Sequence, residues 1–146
     1  KVNYQGIPWA TFSEPQLASV GLTETQAQRR YGDKIQVYRE YFKHLPKAII
    51  EDETVGFFKL IGHQNGQILG ASIVGPQASE MINIIALAIR QGLKINAIAE
   101  LPQIWPTFSQ MSQQTAMAWL QQQRRCNTLL IDWIENLFHW RRSWLS

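Results

Sequence analysis

Two apolar runs, Gly56–Ile61 and Gln67–Val74, flank the tripeptide Gln64-Asn65-Gly66, and no other feature restricts the fold as much. Asn-Gly between two strand-like segments is the strongest short-range hairpin signal, because a tight turn asks its central residues for positive φ. The chain is therefore expected to hold an antiparallel pair, with both Asn65 and Gly66 at positive φ. Gly75-Pro76 ends the second strand. Upstream, Trp9–Glu14 reads as a short strand closed by Pro15, and Ala18–Leu22 as a second extended piece. Ile35–Phe42 alternates in the manner of a half-buried strand.

Helices are marked by their caps. Thr23-Glu24-Thr25-Gln26 is a capping box, in which the hydroxyl takes a first-turn amide and Gln26 reaches back. It opens a helix over Glu24–Tyr31, stopped by Gly32-Asp33. Ser79–Gln91 is a second helix with Gly92 just past its end. Its apolar residues Met81, Ile82, Ile84, Ile85, Leu87 and Ile89 surround most of the circumference, so burial on more than one side is expected. A short helix begins at Asn96. A second capping box, Thr107-Phe108-Ser109-Gln110, starts a helix to Arg125, with Gln121-Gln122-Gln123 at its wet end. Strands with a tight hairpin, followed by helices, predict an α+β domain: an antiparallel β-sheet with helices packed mainly on one face.

With 146 residues, 45% of them hydrophobic, the chain has enough apolar material for one domain with a core. A net charge of +3, without a lysine- or arginine-rich block, argues against nucleic-acid binding. Arg29-Arg30, Arg124-Arg125 and Arg141-Arg142 read as solvated helix surface. The lone Cys126 excludes an internal disulfide and any cysteine-based metal cluster, and fits a reducing, cytoplasmic setting. His44, His63 and His139 stand apart from one another, so no metal site is expected. The N-terminus lacks the apolar core of a signal peptide, and no segment has the roughly 20 apolar residues of a membrane span. The chain opens at Lys1 without a methionine, as expected of an excised fragment.

Three stretches carry a family resemblance. Ile7-Pro8-Trp9-Ala10-Thr11-Phe12-Ser13-Glu14-Pro15-Gln16-Leu17-Ala18-Ser19-Val20-Gly21-Leu22-Thr23-Glu24 resembles the opening of the dimerisation domain of the pyridine nucleotide–disulfide oxidoreductases. That family includes glutathione reductase, dihydrolipoamide dehydrogenase and mercuric reductase. Ile68-Leu69-Gly70-Ala71-Ser72-Ile73-Val74-Gly75-Pro76-Gln77-Ala78-Ser79-Glu80-Met81-Ile82 resembles the same domain's hairpin-to-helix junction. Trp105-Pro106-Thr107-Phe108-Ser109-Gln110 occupies the place of the family's His-Pro-Thr-x-Ser-Glu segment. The resemblance implies a homodimer whose upstream domains of the same chain hold FAD and NAD(P)H. The fragment itself carries no Gly-x-Gly-x-x-Gly loop and no Cys-x-x-Cys-type pair, so it is expected to bind neither cofactor alone.

In the family the histidine reaches into the partner subunit's active site, where it moves protons and the glutamate orients it; an imidazole titrates near neutrality and a carboxylate fixes its tautomer. Here those dyad positions read Trp105 and Gln110, neither of which titrates near neutral pH. No catalytic residue is therefore expected in this fragment. Gln110 reads as the reach-back partner of Thr107, and Trp105 as a packing residue between Pro102 and Pro106. By resemblance, Trp105 and Pro106 also stand at the edge of the partner subunit's FAD pocket. Mercuric reductases capture metal with a C-terminal cysteine pair, whereas this chain offers only Cys126 followed by Asn127.

Residues 1–126 thus read as the dimerisation domain and 127–146 as a C-terminal helical extension. At helical spacing, Leu130, Ile131, Trp133, Ile134, Leu137, Phe138, Trp140, Trp144 and Leu145 fall on one arc. Asp132, Glu135, Asn136, His139, Arg142 and Ser143 fill the other, and Arg141 breaks the apolar side. Such a helix either docks on protein (this domain, the upstream domains or the twin subunit) or lies on a membrane surface through 129–145. Two functions follow. One is a fragment of an FAD-dependent NAD(P)H oxidoreductase that forms the homodimer and walls the partner's active site. The alternative is a stand-alone, non-enzymatic interaction module.

Overall fold

The computed structural model describes residues 6–125. The expected tail helix, Cys126 and residues 1–5 lie outside that range. A five-stranded antiparallel sheet runs in the order β1-β2-β5-β4-β3. Its strands are β1 (Trp9–Thr11), β2 (Gln16–Gly21), β3 (Ile35–Tyr41), β4 (Phe57–His63) and β5 (Ile68–Gly75). The helices are α1 (Glu24–Tyr31), α2 (Pro46–Ile50), α3 (Ala78–Arg90), α4 (Ile95–Ala99) and α5 (110–125). The α+β expectation therefore holds, with the larger core on one face of the sheet.

The β4–β5 hairpin forms at Gln64-Asn65-Gly66 by a different turn from the one expected. His63 N–H donates to the Gln67 carbonyl at 2.9 Å, and Gly66 N–H donates to the His63 carbonyl at 2.8 Å. Only Gly66 has positive φ, at +86°. A three-residue loop, in which a turn is followed by one left-handed glycine, suits the strand twist and leaves Asn65 unstrained. The Asn65 side chain accepts Gln67 N–H at 3.0 Å, which fixes the loop locally.

Alternation along the strands assigns the faces. Ala18 and Val20 of β2, Phe58 and Leu60 of β4, and Ala71 and Ile73 of β5 point to one side and join the cluster under α3, α4 and α5. α5 lies over the β3–β4 edge, where Trp119 is fully buried. Its indole N–H donates to the Gln36 carbonyl at 3.0 Å, and the Gln36 amide donates back to the Trp119 carbonyl at 3.1 Å. Gly62 lets the ring approach: a Cβ there would stand 2.8 Å from the indole. Burying such a ring contributes on the order of 2–3 kcal/mol. Among the described residues the other face carries α1, whose Ala27 is buried with Ile61 and Leu69 of the sheet.

Capping matches the sequence at α1, where both bonds of the Thr23–Gln26 box are present. α3 ends as expected at Gly92, whose N–H donates to the Ile89 carbonyl while Leu93 N–H donates to that of Ala88. Its start is capped from a distance: Gln16 Oε1 accepts both the Ser79 N–H, at 3.2 Å, and the Ser79 hydroxyl, at 3.0 Å. Within the single chain α3 is covered on its sheet side and open elsewhere. Met81, Ile82 and Ile85 face the sheet, whereas Leu87 is 57% exposed. α2 was not foreseen. It is a single turn, with Pro46 at its first position, that brings Ala48 into the core beside Leu45.

Candidate functional site

The segment from Glu100 to Ser109 joins α4 to α5 and holds Trp105 and Pro106, with Gln110 at the first position of α5. Its near end is fixed by Gln113, whose amide donates to the carbonyls of Ala99, at 3.2 Å, and Leu101, at 2.8 Å. Its far end is fixed by Phe108, buried against Phe42 with ring centroids 6.3 Å apart. Between these anchors the chain bows outward. Ile104 is 80% exposed and Trp105 67%, while Pro106 is half-buried.

The Thr107 box forms only in part. Gln110 Oε1 accepts Thr107 N–H at 3.2 Å, as expected of the reach-back residue. The Thr107 hydroxyl does not take an amide of α5; it turns back and donates to the Ile104 carbonyl at 2.8 Å. That bond closes a small loop over Ile104–Thr107. Within the single chain Trp105 does not pack between Pro102 and Pro106, because the bowed loop carries its ring into solvent. Trp105 thus presents one planar apolar surface with a single N–H donor, while the Gln110 amide is held at the base of the same loop.

The structure places several other groups that the sequence did not bring together. His44 Nδ1 lies 2.8 Å from Glu40 Oε1, an exposed pair at the end of β3. The signal was a spacing of four across a strand end, where no helix was expected. An open cleft of about 660 Å³ lies between Phe12–Gln16, Glu51–Glu53, Val55, Gln77 and Phe108. Its charged lining is acidic: Glu14, Glu51, Asp52 and Glu53. The run Glu51-Asp52-Glu53 was the legible trace of it. Trp105 does not line this cleft.

On the opposite face of the sheet, Glu24 accepts from Lys59 and from Arg39, each at 3.2 Å. The Lys59 hydrogen bond is the largest influence, and it holds the Glu24 carboxyl below the usual carboxylate range against the opposing effect of burial. Among the described residues no three His, Cys, Asp or Glu side chains converge on a metal-sized site. None of the described helices is long and apolar enough to cross a membrane.

Comparison with known proteins fits this geometry. Residues 7–116 match the model of the pyridine nucleotide-disulphide oxidoreductase dimerisation domain. The chain is similar to the dihydrolipoyl dehydrogenase of Chlamydia muridarum, 36% identical over 118 residues that cover 80% of this chain and 25% of that protein. It is also similar to the dihydrolipoyl dehydrogenase of Bacillus subtilis, 39% identical over 117 residues covering 80% of this chain and 25% of that protein. Among solved structures, the HOCl-induced flavoprotein disulfide reductase RclA from Escherichia coli superposes with a TM-score of 0.72 and 30% identity. That match covers 76% of this chain and 26% of RclA. The chain spans about a quarter of the length of the proteins it matches. The five-stranded sheet, the hairpin-to-helix junction and the α4–α5 loop are thus parts of one known architecture, and this chain belongs to the pyridine nucleotide–disulfide oxidoreductase family as its dimerisation domain.

Proposed function

We propose that this chain dimerises a larger FAD-dependent NAD(P)H oxidoreductase and contributes Trp105 and Pro106 as a wall at the edge of the partner subunit's flavin pocket. One observation carries the reading: the loop is anchored at both ends, yet Ile104 and Trp105 project into solvent. An apolar surface held rigid and left uncovered by its own chain suits burial against another subunit. An exposed indole and a proline ring also fit the edge of a flat aromatic cofactor, whereas the loop offers no cradle for a dinucleotide. FAD bound by the upstream domains would supply the electron transfer. This chain's own residues would shape the pocket and exclude water, without supplying an acid or base at positions 105 and 110.

The experiment uses a full-length protein carrying this domain, as the parent, Trp105→His, Gln110→Glu and the double variant. Each is checked for fold, flavin content and dimerisation by sedimentation before steady-state rates are measured with glutathione disulfide and lipoamide. Trp105→His alone is expected to add no disulfide reductase activity, because the Gln110 amide cannot stabilise an imidazolium. Gln110→Glu keeps an acceptor for Thr107 N–H and supplies that charge. The double variant should therefore exceed the sum of the singles. Equal rates for Trp105→His and the double would sink the assignment of this loop, and a monomer at high concentration would sink the dimerisation role.

A further inference from the structure

We infer that a second copy of this chain packs on the open half of the sheet, on the side away from α3, α4 and α5, with a twofold axis along one row of side chains. Register fixes the row. Thr11 pairs with Leu17, Leu17 with Val74, Val74 with Phe57 and Phe57 with Tyr41. The adjacent Ala18, Phe58 and Ile73 point into the main core, so the row points the other way. It crosses all five strands, a span of about 19 Å. Leu17, Phe57 and Val74 are only half-buried, and Tyr41 is 43% exposed. α1 packs on this face at the hairpin end, over Ile61 and Leu69. A continuous apolar row across a whole sheet marks an interaction surface.

Charge at the two margins of the row says what covers it. Toward α1, the next row on the same face contains Lys59 and Arg39, which share the single carboxylate of Glu24. A notch of about 510 Å³ opens there, with Arg29 and Lys59 in its lining. Among the described residues Arg29 has no acidic partner. At the opposite end of the strands, Glu14, Asp52 and Glu53 border the acidic cleft. Lys47 pairs with Glu51, and among the described residues the other three acids have no basic partner. One margin is thus basic and the other acidic.

A twofold axis along the row exchanges the margins. The basic side of each copy then faces the acidic end of the other, and each row residue lies opposite itself. Such a contact is self-complementary, as an isologous interface requires. A partner of one sign, such as an anionic lipid surface, would satisfy one margin and oppose the other. Shape agrees with charge. Packed sheets stand about 10 Å apart and a helix is about 10 Å across, so α1 is as tall as the incoming sheet and passes beyond its acidic end. The Trp105 loop joins α4 to α5 on the other side of the sheet, so this contact is separate from the one that loop makes.

Cross-linking tests the contact in the 146-residue chain with Cys126→Ser as background, each variant first matched to the parent by circular dichroism. Val74→Cys places a thiol at the middle of the row, opposite its own copy. Lys34→Cys, beside the hairpin, is the control. A short bismaleimide at micromolar protein should join two Val74→Cys chains at least about tenfold more than two control chains. Adding Arg29→Glu should lower that yield, and adding Glu53→Arg to the same chain should restore it, because the two margins meet. Adding Trp105→Ser should leave the yield unchanged. Equal yields at positions 74 and 34 overturn the proposal, and so does a charge swap that fails to restore. Loss of the cross-link with Trp105→Ser would merge the two contacts and overturn it too. The last arm repeats Val74→Cys in a full-length protein carrying this domain. No cross-link there would assign the row to upstream domains and overturn the second copy as its occupant.

Discussion

Beneath α3, α4 and α5, one face of the sheet seats a continuous apolar cluster from Ala18 to Trp119, whereas on the other face α1 sets Ala27 against Ile61 and Leu69. The two faces are stabilised by different means. On the large face a side chain is held by many neighbours, and its removal opens a cavity in a surround that cannot collapse. On the small face a single short helix is located by its cap and by the Glu24–Lys59–Arg39 cluster, with little apolar area behind them. The first face carries stability, and the second carries the placement of one helix.

The widest separation is expected for core truncations. Trp119→Ala should lower unfolding free energy by about 3–5 kcal/mol, and Leu69→Ala, on the α1 face, by about 2 kcal/mol. Urea unfolding of both decides it, and equal costs would erase the distinction between the faces. A smaller effect separates the two threonine caps. Thr23→Ala removes a cap that accepts the Gln26 amide and should cost about 1 kcal/mol. Thr107→Ala removes only an exposed hydroxyl donor to Ile104 and should cost about 0.5 kcal/mol. Thermal midpoints of the pair should follow that order, and a reversed order would show that the Thr107 bond braces the whole α4–α5 connection. The smallest effect belongs to Glu24→Gln, at about 0.5 kcal/mol or less, because the carboxylate is well exposed and its pairs are screened. Its sign is fixed by linkage. The folded-state value of Glu24 is depressed, so its contribution is complete above the ordinary carboxylate range and is lost as pH falls through the folded value. Glu24→Gln should flatten the acid side of the stability curve, and an identical acid slope in both proteins would remove the ion pairs from the account.

Local signals explain what could be read in advance. The hairpin, the α1 capping box and the glycine end of α3 are decided by residues close in sequence, and each formed where expected. The turn type did not follow from Asn65-Gly66 alone, because three residues, not two, bridge the strands. β2 starts at Gln16, two residues before the expected extended piece, because its register is set by β5: Gln16 pairs with Gly75 and Leu17 with Val74. β1 covers only Trp9–Thr11, whose partners on β2 are Ser19, Ala18 and Leu17. α2 was illegible, being one turn with no side-chain cap. At the site, family resemblance located Trp105 and Gln110, and the Gln110 bond could be read from its spacing. The exposure of Trp105 and the backward turn of Thr107 could not, because the loop between them is pinned by Gln113 of α5 and by Phe108 packed on the distant Phe42.

The central position of β5 also has a consequence for how the domain is made. Within this domain β2 is synthesised before its partner, because one of its edges pairs with a strand about fifty residues downstream: Ser19 meets Ser72, and Ala18 meets Ile73. At translation speeds of about 5–20 residues per second, that edge waits roughly 3–10 seconds for its partner to leave the ribosome. During the wait, Leu17-Ala18-Ser19-Val20 displays unpaired amides and carbonyls along an apolar ribbon, the kind of edge to which another nascent strand can add. A ribosome that stalls before Ile68 would release a chain in which this edge is never closed. Quality control acting on truncated products of this protein would thus find its handle in β2.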